Sequence, residues 1–266
     1  MRRRFHKMHG LGNDFVIVDA RETPFAVMPA LARAIADRRT GVGCDQLIVL
    51  EPSDSADLRM RIWNSDGGEV ESCGNAARCV IQLTGARTID SEGGLLEGQA
   101  LAAEVEVTLP EPRFGWDQIP LAYPMDTAAL PMAWDGLEHP MAVNVGNPHL
   151  VFFVPDAREV RLDELGPRIE NDPAFPQKIS VNVGTCVHDH LKLRTFERGA
   201  GETLACGTGA CASAVAAIAT KRAPSPVTVD MTGGSLVVSW APGEPIRMRG
   251  SATHVYEGEL DLEALQ

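Results

Sequence analysis

The sequence predicts a mixed α/β protein of the α+β kind. It should form two pseudo-symmetric domains related by internal duplication, each a mostly antiparallel sheet wrapped around one central buried helix. Three observations carry this expectation. Cys73 and Cys206 lie 133 positions apart in a chain of 266 residues, and at that offset RIWNSDGGEVESCGNAA (61–77) falls on RTFERGAGETLACGTGA (194–210). Strand-like runs dominate both halves. Each half has one strong helical stretch directly after its cysteine, and the second is apolar almost all round, as a buried helix must be.

The elements follow in chain order. The opening MRRRFHKMHGLGNDFVIVD has three arginines like the start of a signal peptide, but no apolar stretch follows them. No run approaches the ~20 apolar residues of a membrane span. The expectation is a cytoplasmic protein with no membrane partner. DFVIVDA, QLIVLEP and LRMRIWN then read as strands, AARCVIQLTG as the first helix, and QALAAEVEVTLPEP as an alternating strand. Pro110, Pro112, Pro120, Pro124 and Pro131 punctuate the next stretch, as in a linker or an edge-strand region. They place a domain boundary near residue 120, giving domains 1–120 and 121–266 with a C-terminal tail able to return to the first. In the second half, MAVNVGNPHLVFFV, HLKLRTFE, VTVDM and SLVVSW read as strands and GACASAVAAIATKR as the helix. GNDFVIV (12–18) falls on GNPHLVFFV (146–154) at an offset of 134, and Arg61, Glu69 and Gly74 meet Arg194, Glu202 and Gly207 at 133. Several landmarks at one offset mark a repeat where a single shared dipeptide would not.

Composition narrows the function. A net charge of -12 argues against a nucleic-acid surface, which needs clustered Lys and Arg. It leaves a small substrate open. The close cysteine pairs are spaced C-x5-C and C-x4-C, not the C-x2-C of zinc ribbons and redox motifs, so no metal is expected. Cys44, Cys79, Cys186 and Cys211 read as buried small hydrophobes.

Cys73 and Cys206 read differently, because each precedes a helix start. The first turn of a helix has unpaired N–H groups and the positive end of the dipole, and glycine lets a ligand approach closely. Such a turn holds a carboxylate, and it lowers a cysteine pKa from about 8.5 to roughly 3.5–7.5 in known cases. Two such turns on either side of one carbon could remove a proton from one face and deliver a proton to the other. That inverts a stereocentre and needs neither metal nor pyridoxal. A competing reading lies in GTGACA (207–212), which fits a dinucleotide fingerprint with Asp230 downstream. However, the strand HLKLRTFE ends about nine residues too early for that fingerprint, which joins strand and glycine directly.

HGLGNDFVIVD, GVGCDQLIVL, NSDGGEVESCGNAARC, VNVGNPHLVFF, ISVNVG and FERGAGETLACGTGACA, in this order and spacing, resemble the diaminopimelate epimerase family over nearly the whole chain. The resemblance implies conversion of LL-2,6-diaminopimelate to its meso form, in lysine and peptidoglycan biosynthesis. It also implies a two-cysteine mechanism without a cofactor and a homodimer. It puts substrate contacts on Asn13, Gln46, Asn64, Asn147, Asn182, Glu197 and Arg198. Gly74 and Asn75, with Gly207 and Thr208, would offer backbone N–H groups to the reacting carboxylate. Glu197 would accept from the ammonium on the reacting carbon, and Arg198 would grip the distal carboxylate. His149 would assist as a polar group near the site. Two readings stay open beside this one. A proline or hydroxyproline racemase-like enzyme would share the cysteine pair, and a non-catalytic binding domain would share only the cleft.

Overall fold

The computed structural model describes residues 2–71 and 73–265. The chain divides into two compact units, Met1–Val107 with Gly250–Gln266, and Thr108–Arg249.

In the first unit, β1 (Arg2–Gly10) pairs antiparallel with β2 (Asn13–Asp19) and with the C-terminal strand β19 (Thr253–Asp261). A crossover through helix α1 (Pro29–Ala36) brings β3 (Gln46–Glu51) parallel to β2, and β4 (Leu58–Asn64) returns antiparallel to β3. The two-residue β5 (Glu69–Val70) folds back on the end of β4. Helix α2 (Gly74–Thr84) is the next crossover, and it sets β6 (Thr88–Ser91) parallel to the start of β4. β7 (Gly94–Ala100) closes a hairpin with β6, and the unit ends within β8 (Val105–Leu109).

The second unit begins with a small hairpin of β9 (Ala133–Trp134) and β10 (Leu137–Glu138), then repeats the scheme. β11 (Met141–Asn144) pairs antiparallel with β12 (Pro148–Phe153). A crossover through α3 (Leu162–Glu170) sets β13 (Ser180–Val187) parallel to β12. β14 (His190–Glu197) returns antiparallel, and β15 (Gly201–Thr203) folds on its end. Helix α4 (Gly207–Ala219) then leads to β16 (Val227–Met231), parallel to β14. β17 (Gly234–Ser239) and β18 (Ile246–Gly250) follow antiparallel.

Antiparallel pairs outnumber parallel ones in both units, and each parallel pair is joined through a helix, as such pairs require. The duplication extends to single side chains. Arg61 forks onto Glu69 at 2.7 and 2.8 Å, and Arg194 forks onto Glu202 at 2.8 and 3.0 Å. The central helices are those expected. α4 is buried from Gly209 to Ala217 and packs against β11, β12, β13, β14, β16 and β17. α2 is buried from Asn75 to Ile81 and ends on Gly85, whose left-handed backbone (φ 72) gives the glycine C-cap.

The structure differs from the sequence expectation in its strands, helices and boundary. β1, β13, β18 and β19 were not read as strands, and QALAAEVEVTLPEP, read as one strand, holds the end of β7 and the whole of β8. Each unit has a second helix, α1 or α3, where one was expected. The chain also passes between units at Val107/Thr108, not near 120, and its end belongs to the first unit. Backbone bonds explain the shift. Arg113 and Asn144 exchange both N–H···O bonds, at 2.8 and 2.9 Å, and Thr127 donates to the Phe114 carbonyl at 2.6 Å. These tie the proline-punctuated segment to the second unit, while β19 runs along the full length of β1. Among the described residues no helix is long and apolar enough to cross a membrane.

Candidate active site

Both cysteines are N-caps. Cys73 (φ -149, ψ 110) precedes α2, and Cys206 (φ -114, ψ 113) precedes α4. An extended residue followed by a helical turn aims the side chain back over the helix start. Glycine at the next position, Gly74 or Gly207, keeps that turn clear of a side chain.

In the first unit the Cys73 thiol donates to Asn13 Oδ1 at 3.8 Å, and Asn75 Nδ2 donates to the same oxygen at 3.2 Å. Asn13 begins β2 and its Nδ2 donates to Asp45 Oδ2 at 3.0 Å. Gln46 and Asn64 are paired across β3 and β4, and their amides bond at 2.9 Å. The Gln46 Oε1 is buried and has no hydrogen-bond partner among the described residues. Arg78, one turn into α2, is fully buried and donates to Asn75 Oδ1 at 2.9 Å. Sequence reasoning missed Arg78 and Asp45. A buried arginine reads like any helix arginine, and Asp45 was one letter of the quoted GVGCDQ.

In the second unit Cys206 Sγ accepts from the Gly209 N–H at 3.3 Å and lies 3.5 Å from Thr208 Oγ1. Glu197 accepts from Thr203 Oγ1 at 2.5 Å and also stands beside the thiol. Arg198 is exposed, with its guanidinium on the Gln177 carbonyl at 3.1 Å. His149, Asn182 and Thr195 are buried beneath the helix start. Asn182 Nδ2 lies 2.9 Å from the Leu150 carbonyl and 3.1 Å from His149 Nδ1, and its Oδ1 accepts from Thr195 at 3.0 Å. His149 Nε2 meets Asn147 Oδ1 at 3.0 Å. The corresponding positions in the first unit are Phe15, Ile48 and Ile62, all buried. The second unit thus has a polar chain where the first has three apolar side chains. Both amide hydrogens of Asn182 are engaged inside the fold.

The thiol electrostatics depart from expectation. A helix start was expected to lower both cysteines. Instead, burial pushes the Cys206 thiol well above the ordinary range, and the Glu197 carboxylate pushes it further. The bonds from Gly209 and Thr208 pull the other way and are the weaker influence. Desolvation outweighs the helix terminus because the sulfur is almost wholly out of water. Burial likewise drives His149 down to about 3, with the Arg198 charge adding to it, so the ring is neutral. Cys44, Cys79 and Cys211 are buried as expected, and burial raises Cys44 to about 11 and Cys79 to about 12. Cys186 is only half-buried. Among the described residues one metal-capable cluster converges, His6, His254 and Glu257 on the β1–β19 ladder, and no cysteine belongs to it.

Each unit therefore places a cysteine, a helix start and an array of amides together. That arrangement can bind a carboxylate and hold a sulfur beside it. Comparison with known proteins gives the chemistry a context. The family model of diaminopimelate epimerase matches residues 5–107 and 141–255. The chain is 62% identical over 268 residues to the diaminopimelate epimerase of Rhizorhabdus wittichii, covering 99% of this chain and 97% of that protein. It is also 62% identical to that of Sphingopyxis alaskensis, covering 97% of each. Among solved structures, a phenazine biosynthesis protein of the PhzF family from Bacillus anthracis shares the fold. Its TM-score is 0.68 at 16% identity, covering 98% of this chain and 99% of that one.

Proposed function

The chain belongs to the diaminopimelate epimerase family, and on that premise we propose that it interconverts LL- and meso-2,6-diaminopimelate with Cys73 and Cys206 as the acid–base pair. The observation that carries this is the repetition of one turn, a cysteine N-cap ahead of a buried helix at equivalent positions of two duplicated units. One thiolate removes the α-hydrogen and the other thiol protonates the carbanion, with roles exchanged in the reverse direction. First-turn N–H groups at Gly74 and Asn75, and at Gly207 and Thr208, take the α-carboxylate, on which negative charge grows as the carbon is deprotonated.

Glu197 links binding to acidity. Its charge adds to burial in raising the Cys206 thiol. A substrate ammonium paired with Glu197 offsets that charge and makes the thiolate easier to form. Arg198, with Asn64 and Asn147, serves the distal amino-acid end, a planar fork for a carboxylate and amides for the rest, while Asn182, expected as a further contact, has both amide hydrogens bonded within the fold and acts from beneath through His149. That distal set favours diaminopimelate over a proline-like substrate, which has no second amino-acid end. The reading places the enzyme in lysine and peptidoglycan precursor synthesis. It includes a cytoplasmic homodimer that needs no cofactor.

The test is α-hydrogen exchange in D2O with a panel of amino acids. Exchange and epimerisation of LL-diaminopimelate, with none for proline or hydroxyproline, is the expected result. Exchange of proline alone would replace the substrate assignment, and binding without exchange would remove the enzymatic one.

A further inference from the structure

Asn13 and Asn147 occupy equivalent positions, one at the start of β2 and the other one residue before β12. An amide side chain has a donor end and an acceptor end, and its neighbours decide which end faces outward. We propose that Asp45 in the first unit and His149 in the second are positioning residues that turn these two asparagines opposite ways, so that Asn13 presents its carbonyl oxygen and Asn147 its NH2 group. The consequence for substrate rests on the epimerase reading. The orientation itself does not.

In the first unit a carboxylate fixes the orientation. Asp45 Oδ2 only accepts, so the Asn13 atom at 3.0 Å is the nitrogen. The Asn13 oxygen is left facing the Asn75 amide and the Cys73 thiol. Asp45 is itself held in place. It accepts from Arg38 Nη2 at 2.8 Å and from the Asp14 backbone N–H at 3.1 Å. Arg38 and Lys7 both reach Asp14, and Lys7 also donates to the Gly43 carbonyl.

In the second unit a backbone carbonyl fixes the orientation. Leu150 O only accepts, so the Asn182 atom at 2.9 Å is the nitrogen, and the Thr195 hydroxyl bonded to the other end agrees. The same nitrogen faces His149 Nδ1 at 3.1 Å, which makes Nδ1 an acceptor without a proton. In the neutral ring the proton then sits on Nε2, which donates to Asn147 Oδ1 at 3.0 Å. The NH2 group of Asn147 is turned away and left for a ligand. Neither device is duplicated: Ile179 stands where Asp45 would repeat, and Phe15 where His149 would. A zwitterionic substrate needs such unlike ends, an acceptor for its ammonium side and a donor for its carboxylate side.

The first measurement uses the ligand-free enzyme and is independent of turnover. Side-chain amide hydrogen exchange followed by NMR should show the Asn13 NH2, bonded to a carboxylate, exchanging about tenfold or more slower than that of Asn147. Equal rates, or the reverse order, overturn the proposal. The second measurement is kinetic. Asn147→Asp keeps the oxygen against His149 but replaces the donor with an anion, and it should raise KM roughly 10- to 100-fold. Asn13→Asp sets two carboxylates together and should lose activity. An unchanged KM for Asn147→Asp, or full activity of Asn13→Asp, contradicts the proposal. If the unsubstituted enzyme leaves diaminopimelate untouched, the epimerase reading falls while the exchange result still decides the orientation.

Discussion

An alanine at Gly209 would place its Cβ 2.7 Å from Asn182 Oδ1 and 2.9 Å from Thr195 Oγ1. Both atoms are fixed by the buried chain beneath α4, so the helix start must move. Gly209→Ala should cost about 1–3 kcal/mol in denaturant unfolding, and it should reduce turnover because the same residue donates to Cys206. A variant as stable and active as the parent would show that the chain is slack. His149 gives a pH prediction. Its folded pKa is lowered to about 3 from 6.5, so between those values the unfolded chain binds a proton that the folded protein does not. Stability from this group is complete above 6.5 and falls as the pH drops toward 3. His149→Gln should flatten the pH dependence of the unfolding midpoint in that window, and an unaltered slope would mean that the ring is not the group being titrated. Both cysteines were legible as residues from the spacing of the repeat. The acidity of Cys206 was not, because desolvation depends on what the fold packs over the sulfur, and that follows from no local motif.

The central helices and the apolar strands were legible because their patterns are strong, whereas β1, β13, β18 and β19 were not read as strands. α1 and α3 were not legible either. α1 has eight residues and α3 nine with a proline at 167, so the apolar stripe of each, Ala32, Ile35 and Ala36 in one and Leu162, Leu165 and Ile169 in the other, spans only two turns and does not stand out in the sequence. The boundary was misplaced for a related reason. Prolines mark irregular chain, but which unit that chain packs against is decided by pairings such as Arg113 with Asn144. The repeated arginines show how equivalent elements acquire different duties. Arg61 reaches Glu69 and Glu51, whereas Arg194 reaches Glu202 and also the carbonyls of Ala157 and Val160. Arg194 therefore fastens the segment leading into α3 to β14. Arg194→Met should destabilise the protein by about 1–3 kcal/mol more than Arg61→Met, since it strands two backbone acceptors as well as a carboxylate. Equal losses in chemical denaturation would show that those carbonyls find water instead.

For the whole molecule, the duplication gives two copies of a single-sulfur turn, and neither copy alone can invert a carbon. The account requires both sulfurs. Replacing Cys73 or Cys206 with alanine should each cost roughly 10²–10⁴ in rate or more, in both directions, whereas Cys79→Ala and Cys211→Ala should affect stability alone. The most direct test is the fate of the substrate α-hydrogen in D2O at low conversion. With one cysteine removing hydrogen and the other delivering a solvent-equilibrated proton, early product should contain deuterium at the inverted carbon while recovered substrate contains little. Substrate hydrogen retained in that product would mean that one group both takes and returns the proton, and would contradict the two-cysteine account.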